Sequence, residues 1–226
     1  MDANGIKEIA IKLGADLCGI APVKRFDNAP DGFRPVDIYA ECQSILVFAK
    51  RLPTTSLFAS SCVPYSHVND LITREVDSLT LQISLKLEDI GINNVLIPSD
   101  DPYEHWESEK MYGRAILSLR HAGMLAGLGK LGQSTLLIND RYGNMIQIGA
   151  TLLNVELAGD SLADYEVCPD GCDLCLDSCP QAALNGETVN QLLCRPFSNF
   201  ITPKGYNLKK CNLCRSICPS ALGIEG

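Results

Sequence analysis

The sequence predicts an α/β protein, a layered sandwich of helices on a mixed sheet, followed by a C-terminal module of two-cluster ferredoxin type. Three observations carry that expectation. Up to about residue 160 the apolar spacing switches repeatedly between helical and extended periods. That stretch finishes in a strand, turn and strand around NDRYGN at 139–144. From residue 161 onward, periodic apolar structure gives way to closely spaced cysteines. The boundary falls in AGDSLA at 158–163, dividing an α/β domain at 1–160 from a cysteine module at 161–226.

The elements follow in order. Ile6, Ile9, Ala10 and Leu13 form a helical stripe that stops at Gly14, and residues 17–23 read as a short buried strand ending around Pro22. Residues 44–52 make a second strand, closed by Pro53. A long helix is expected from an N-cap at Asn69 or Asp70, with Ile72, Val76, Leu79, Ile83, Leu87 and Ile90 at helical spacing and Gly91 as its C-terminal stop. Residues 94–98 give a third strand, and 119–126 a helix capped by Ser118. The segments 135–139 and 145–155 form the closing pair of strands. Alternation of this kind indicates layers around one core.

Composition narrows the function. Apolar residues at 46% and charged residues at 20% are ordinary for a globular chain in water. The N-terminus mixes Asp2, Lys7, Glu8, Lys12 and Asp16 among its apolar residues, so no signal peptide is expected. No apolar run approaches the roughly 20 residues that span a bilayer. A cytoplasmic location with no membrane partner is therefore expected. The formal net charge of −8, with Lys and Arg scattered, gives phosphate backbones no general surface to bind.

Eleven cysteines would suggest disulfides in a secreted chain, but the number is odd and eight of them crowd into the last quarter. Metal ligation is the better reading. The runs are Cys168-x3-Cys172-x2-Cys175-x3-Cys179-Pro180 and Cys211-x2-Cys214-x3-Cys218-Pro219, with Cys194 between them. Each iron of a [4Fe–4S] cube takes one thiolate, and the cysteine before proline ligates the other cluster. The spacing therefore assigns Cys168, Cys172, Cys175 and Cys218 to one cluster and Cys179, Cys194, Cys211 and Cys214 to the other. Two four-thiolate zinc sites are the alternative, but they usually show two C-x2-C knuckles per metal. The x3 gap after Cys168 departs from the ferredoxin run. It reads either as a bulge that leaves ligation intact or as replacement of Cys168 by another ligand. Cys18, Cys42 and Cys62 read as small buried hydrophobes.

The run Gly127-Leu128-Gly129-Lys130-Leu131-Gly132 matches G-x-G-x-x-G, but a helix leads into it and a strand follows, the reverse of a dinucleotide site. The glycines permit close backbone approach, either to a packed element or to a flat cofactor.

LSLRHAGMLAGLGKLGQSTLLINDRYGN at 117–144 followed by the two cysteine runs, together with VPYSHVND at 63–70 and NNVLIPSD at 93–100, resembles the epoxyqueuosine reductase family. The resemblance implies two [4Fe–4S] clusters and a corrinoid (cobalamin) held in the N-terminal domain near the glycine loop, with Gly127, Gly129, Lys130 and Gly132 as cofactor-binding residues. It implies reduction of an epoxide on a tRNA wobble nucleoside, and a relation to reductive dehalogenases. The chain departs from that pattern in places. It has Val68-Asn69-Asp70 where the family has Asp-Tyr-His, and Gly113 at the offset of the family's acidic proton donor. It ends eight residues after Cys218, from which no tRNA-binding extension is expected.

Two functions follow as expectations. One is an iron–sulfur oxidoreductase that takes electrons from a reduced donor protein through both clusters to a cofactor or small-molecule substrate. The other is a non-catalytic electron carrier or subunit without a corrinoid. The resemblance leaves a tRNA substrate open. His121, inside the motif, reads either as a catalytic proton donor, suited by an imidazole pKa of about 6.5, or as a residue that caps its helix. Arg120 and Lys130 nearby would make such a pocket electropositive.

Overall fold

A helix-loving stripe followed by a β-rich run sets the first unit of the fold. In the computed structural model, which describes residues 1–224, α1 (Ala3–Leu13) starts on an Asp2 side chain that accepts from the Gly5 N–H. It stops at Gly14, whose φ of 118° only glycine adopts without strain. Strand β1 (Leu17–Pro22), the short α2 (Pro35–Ile38) and β2 (Ser44–Arg51) follow. The long α3 (Cys62–Glu88) leads to β3 (Asn94–Ile97). Next come the hairpin of β4 (His105–Glu107) and β5 (Tyr112–Arg114), α4 (Leu119–Leu125), the paired β6 (Lys130–Leu131) and β7 (Leu137–Ile138), and β8 (Ile146–Leu153). The cysteine segment adds α5 (Leu174–Asp177), α6 (Gln191–Ser198), the hairpin of β9 (Asn199–Ile201) and β10 (Asn207–Lys209), and α7 (Leu213–Ser216).

The main sheet runs β1-β2-β8-β3 and every pairing in it is antiparallel. The α/β layering matches the expectation, but the mixed sheet does not. The unit β2-α3-β3 would place β2 and β3 side by side and parallel, and β8 inserts between them, antiparallel to both. Along β2 the side chains alternate between two cores. Ile45, Val47 and Ala49 face a cluster shared with Leu117, Ala122 and Ala126 of the α4 region. Leu46 and Phe48 face one built with Ile6, Ala10, Val76, Leu79, Ile83 and Leu87 of α1 and α3. Gly149 on β8 is required here, since a Cβ would stand 2.5 Å from Phe48 Cζ.

Helix α3 begins earlier than the apolar spacing suggested. Its N-cap is Ser61, not Asn69 or Asp70, because Tyr65 and Ser66 already turn inward one helical repeat before Ile72. Among the described residues no helix is long and apolar enough to cross a membrane.

Asp160 clasps the end of the α/β layers. Its carboxylate accepts from the Ile20 N–H at 2.8 Å and meets Lys7 Nζ, and its carbonyl accepts from Arg25 at 2.9 Å. The Asp160 N–H in turn donates to the Ile20 carbonyl at 3.0 Å. Asp160→Ala removes a charge-assisted bond and leaves the Ile20 N–H without its partner, so it is expected to destabilise the chain by about 2 kcal/mol. A shift in urea midpoint checks this, and an unchanged midpoint would show that water replaces the clasp.

Candidate metal centre

The loop and hairpin before β8 carry the surface on which the cysteine segment lies. Gly143 meets the Ala221 carbonyl so closely that a Cβ would stand 2.2 Å from it, and the Asn144 N–H donates to that same carbonyl at 3.1 Å. Ser220 Oγ donates to the Val167 carbonyl at 2.8 Å, tying the residue before Cys168 to the turn after Cys218. The Lys209 N–H donates to Ser66 Oγ at 2.8 Å, fixing β10 to α3.

These ties bring Cys168, Cys172, Cys175 and Cys218 around one small cavity, walled by Ile138, Val167, Pro169, Leu174 and Pro219. Burial raises the pKa of the Cys175 thiol, and charge on Cys168 and Cys218 raises it further, as expected of thiols that share one small volume. The extra residue between Cys168 and Cys172 is absorbed in a turn. The Cys172 N–H donates to the Pro169 carbonyl at 3.0 Å, and Gly171 takes a φ of 67°.

Cys214 is near other thiols as well. Burial pushes the Cys214 thiol up to about 11, with Cys194 and Cys211 among the charges that it feels. Cys179 connects to this group through backbone. Its sulfur accepts from the Ala183 N–H, the Ala183 carbonyl from Asn190, and the Asn190 carbonyl from the Cys194 N–H. None of the eleven cysteines forms a disulfide. Among the described residues no three His, Cys, Asp or Glu side chains close on a point where one ion could sit. Cys18 and Cys42 are elsewhere, each pushed up to about 11 by burial, as inert core thiols are.

The 127–132 loop is packed against protein. A Cβ on Gly127 would stand 2.1 Å from the Ser161 carbonyl oxygen, one on Gly129 2.2 Å from that of Ile138, and one on Gly132 2.6 Å from Ile138 Cδ1. The same position on Gly132 lies 3.5 Å from Cys168 Sγ, so this glycine lets the loop close over the thiol group. Lys130 pairs with Glu166 at 2.8 Å. On their Cβ side these glycines meet protein, and the cavity beside the cysteines is lined by Ser134 and Ile138.

His121 lies at the surface of α4, with Nδ1 2.7 Å from Ser118 Oγ. Ser118 thus bonds the imidazole and makes no side-chain cap bond to the backbone. Gly113 exchanges two hydrogen bonds with the Gln191 amide, and its α-carbon is covered by the Tyr103 ring. Asn144 was not signalled by the sequence. Its Nδ2 donates to the Arg215 carbonyl at 3.1 Å, its own carbonyl accepts from Arg215, and its buried Oδ1 has no partner. A lone Asn at the end of a turn gives no pattern that could have marked it.

Fold and thiol arrangement together place the chain on the scaffold of epoxyqueuosine reductases, to which reductive dehalogenases are related. No family model matches. Among curated relatives, the epoxyqueuosine reductase of Staphylococcus aureus (strain NCTC 8325 / PS 47) is 31% identical over 131 residues, covering 53% of this chain and 33% of that protein. The chain thus spans about a third of the length of the curated relatives that it matches. An epoxyqueuosine reductase solved with an epoxyqueuosine-modified tRNA-Tyr stem loop matches with a TM-score of 0.63 at 18% identity, over 96% of this chain and 64% of that one. The catabolic reductive dehalogenase NpRdhA, solved with 3-bromo-4-hydroxybenzoic acid, matches with a TM-score of 0.57 at 16% identity, over 96% and 30%. These likenesses establish the fold.

Burial and the Arg120 charge both lower the His121 pKa from the ordinary 6.5. Between the two values the unfolded chain binds the proton and the folded chain does not, so this residue's contribution to stability falls as the pH drops through 6.5. NMR titration of the His121 ring is expected to give a midpoint below 6.5, and a midpoint above it would mean that a carboxylate or cluster charge dominates.

Proposed function

We propose that the chain is an iron–sulfur oxidoreductase whose cysteine segment, 161–226, holds two [4Fe–4S] clusters and whose α/β domain, 1–160, receives their electrons. The observation that carries this reading is the cavity in which Cys218 joins Cys168, Cys172 and Cys175 across the two sequence runs. When bound, such clusters supply single electrons at low potential. The chain's own residues then have defined tasks. The cysteines lose their protons on ligation, and the buried Ile138 and Val167 give them an apolar wall on one side. By likeness to the reductases, the electrons come from a reduced donor protein and reach a small-molecule or tRNA-borne substrate. His121, held by Ser118, is the candidate proton donor for that step, acting from its imidazolium form.

A second reading, an electron carrier or subunit without a corrinoid, is favoured by two specific observations. The glycine loop is filled by protein, and Tyr103 covers Gly113, where the reductases place an acid. Adding cobalamin to anaerobically purified protein distinguishes the two. A stoichiometric change in the cobalamin spectrum supports the corrinoid-dependent reductase, in which His121→Ala should slow turnover by roughly 10²-fold with the clusters retained. An unchanged spectrum supports the carrier.

Iron and acid-labile sulfide are each expected at about eight per chain, as two cubes demand. Cys218→Ala should damage the cluster of the first run and Cys179→Ala that of the second. Stoichiometric zinc in colourless protein would overturn the two-cluster reading.

A further inference from the structure

Helix α6 is built inside out. A surface helix ordinarily hides its apolar stripe and shows water its polar face. In α6 the four exposed residues are Leu192, Leu193, Pro196 and Phe197, and the four half-buried ones are Gln191, Cys194, Arg195 and Ser198. The polar side turns inward because partners await it there. The Gln191 amide exchanges two hydrogen bonds with Gly113, and the Arg195 guanidinium lies 5.4 Å from the centre of the Tyr103 ring and 5.2 Å from that of Trp106.

The hairpin of β9 and β10 adds to the apolar surface. Phe200, Ile201 and Tyr206 are 48%, 71% and 66% exposed. Lys210 joins the hairpin to the helix, since its N–H donates to the Ser198 carbonyl at 2.6 Å and its ammonium lies 5.9 Å from the centre of the Phe197 ring. Lys204 is exposed in the turn between the strands. Residues 188–224 contain five Lys and Arg and no Asp or Glu, in a chain whose formal net charge is −8. Among the described residues none of the five forms an ion pair. Lys209 shares an open cleft with Asp70, Asp100 and Asp101, and Arg215 is anchored on the Asn144 carbonyl. Lys204 and Lys210 are therefore the charges that this face presents.

Resting on the electron-transfer reading above, we propose that the outward face of α6 and the β9–β10 hairpin is the docking surface for the reduced donor, an acidic redox protein. Exposed apolar residues of this kind mark a contact surface, and the unpaired lysines around them select a partner whose contact face carries carboxylates. The acidic remainder of the chain repels such a partner and steers it to this one basic face. A two-fold pairing of two copies through the same face would set lysines against lysines. One short helix and one hairpin suit a transient redox encounter, which buries less than about 1,200 Å² in all. Cys194 is on the inward side of the same helix, so a partner on the outward side stands about one helix diameter, roughly 10–12 Å, from its thiol. The donor loses one electron and a cluster gains it, with no bond made or broken and no proton moved.

Anaerobic stopped-flow mixing of the intact protein with a reduced flavodoxin of net negative charge, followed by loss of the cluster absorption, tests this. The second-order rate is expected to fall as salt is raised. The double variant Lys204→Glu, Lys210→Glu should slow it about tenfold and flatten its salt dependence, and Phe197→Ser should slow it by a similar factor. Lys86→Glu, near the far end of α3, should leave it within about twofold, and reduction by dithionite, which needs no docking surface, should be the same in every variant. Should Phe197→Ser lose its clusters, Leu192→Ser on the same face is read in its place. The proposal is overturned if the lysine double variant keeps the parent rate and salt dependence, or if Lys86→Glu slows the reaction equally. It is also overturned if the parent is a dimer that Phe197→Ser dissociates, or if it binds anionic vesicles through the same residue. Protein without iron, or protein that dithionite cannot reduce, would instead end the electron-transfer reading itself.

Discussion

Closure of one thiol group from two distant stretches of chain is the constraint on which the rest of this molecule depends. Cys218 stands with Cys168, Cys172 and Cys175 only because the backbone around 219–221 is seated on the turn at 139–144. That seat exists because Gly143 has no side chain where the Ala221 carbonyl arrives. The turn in turn is held by β8, inserted between β2 and β3 at the centre of the sheet. A thiol group seated in this way is tied to the strand beneath it.

The glycine-rich loop shows how one pattern can serve two purposes. Glycine is selected wherever two backbones come within van der Waals distance, whether the neighbour is a cofactor or another strand. Here the neighbours are the carbonyls of Ser161 and Ile138, and the consequence is a tight lid of protein over Cys168. The loop confines the space around that thiol.

Much of this was legible in the residues. The apolar periods gave α1, β1, β2, β3, α4 and β8 nearly to their ends, since those elements bury one face against a common core. The cysteine spacing anticipated that Cys218 stands with Cys168, Cys172 and Cys175, because short loops and cysteine-proline pairs restrict what the sulfurs can reach. Less was visible where the determinant is non-local. The order β1-β2-β8-β3 depends on which strand fills the gap beneath α3, and no local period records that. The hairpin of β4 and β5 has exposed, short strands with His105, Trp106 and Arg114 facing outward, so it shows no alternation. The setting of Arg120 escaped for the same reason: its guanidinium donates to the carbonyl and Oγ1 of Thr135, on the far side of the glycine loop.

The clasp at Asp160 has a further effect on how the molecule behaves among its own copies. Strand β1 lies at the edge of the sheet, and an open edge is a template for pairing with another chain. Asp160 occupies both the N–H and the carbonyl of Ile20, the middle of that edge, with a charged residue that cannot continue a ladder. At the opposite edge β3 has only four residues and is followed at once by Pro98. The sheet is thus guarded against edge-to-edge aggregation on both sides, so a protein that must keep eight reactive thiols apart from those of its neighbours begins with a scaffold that does not seek them.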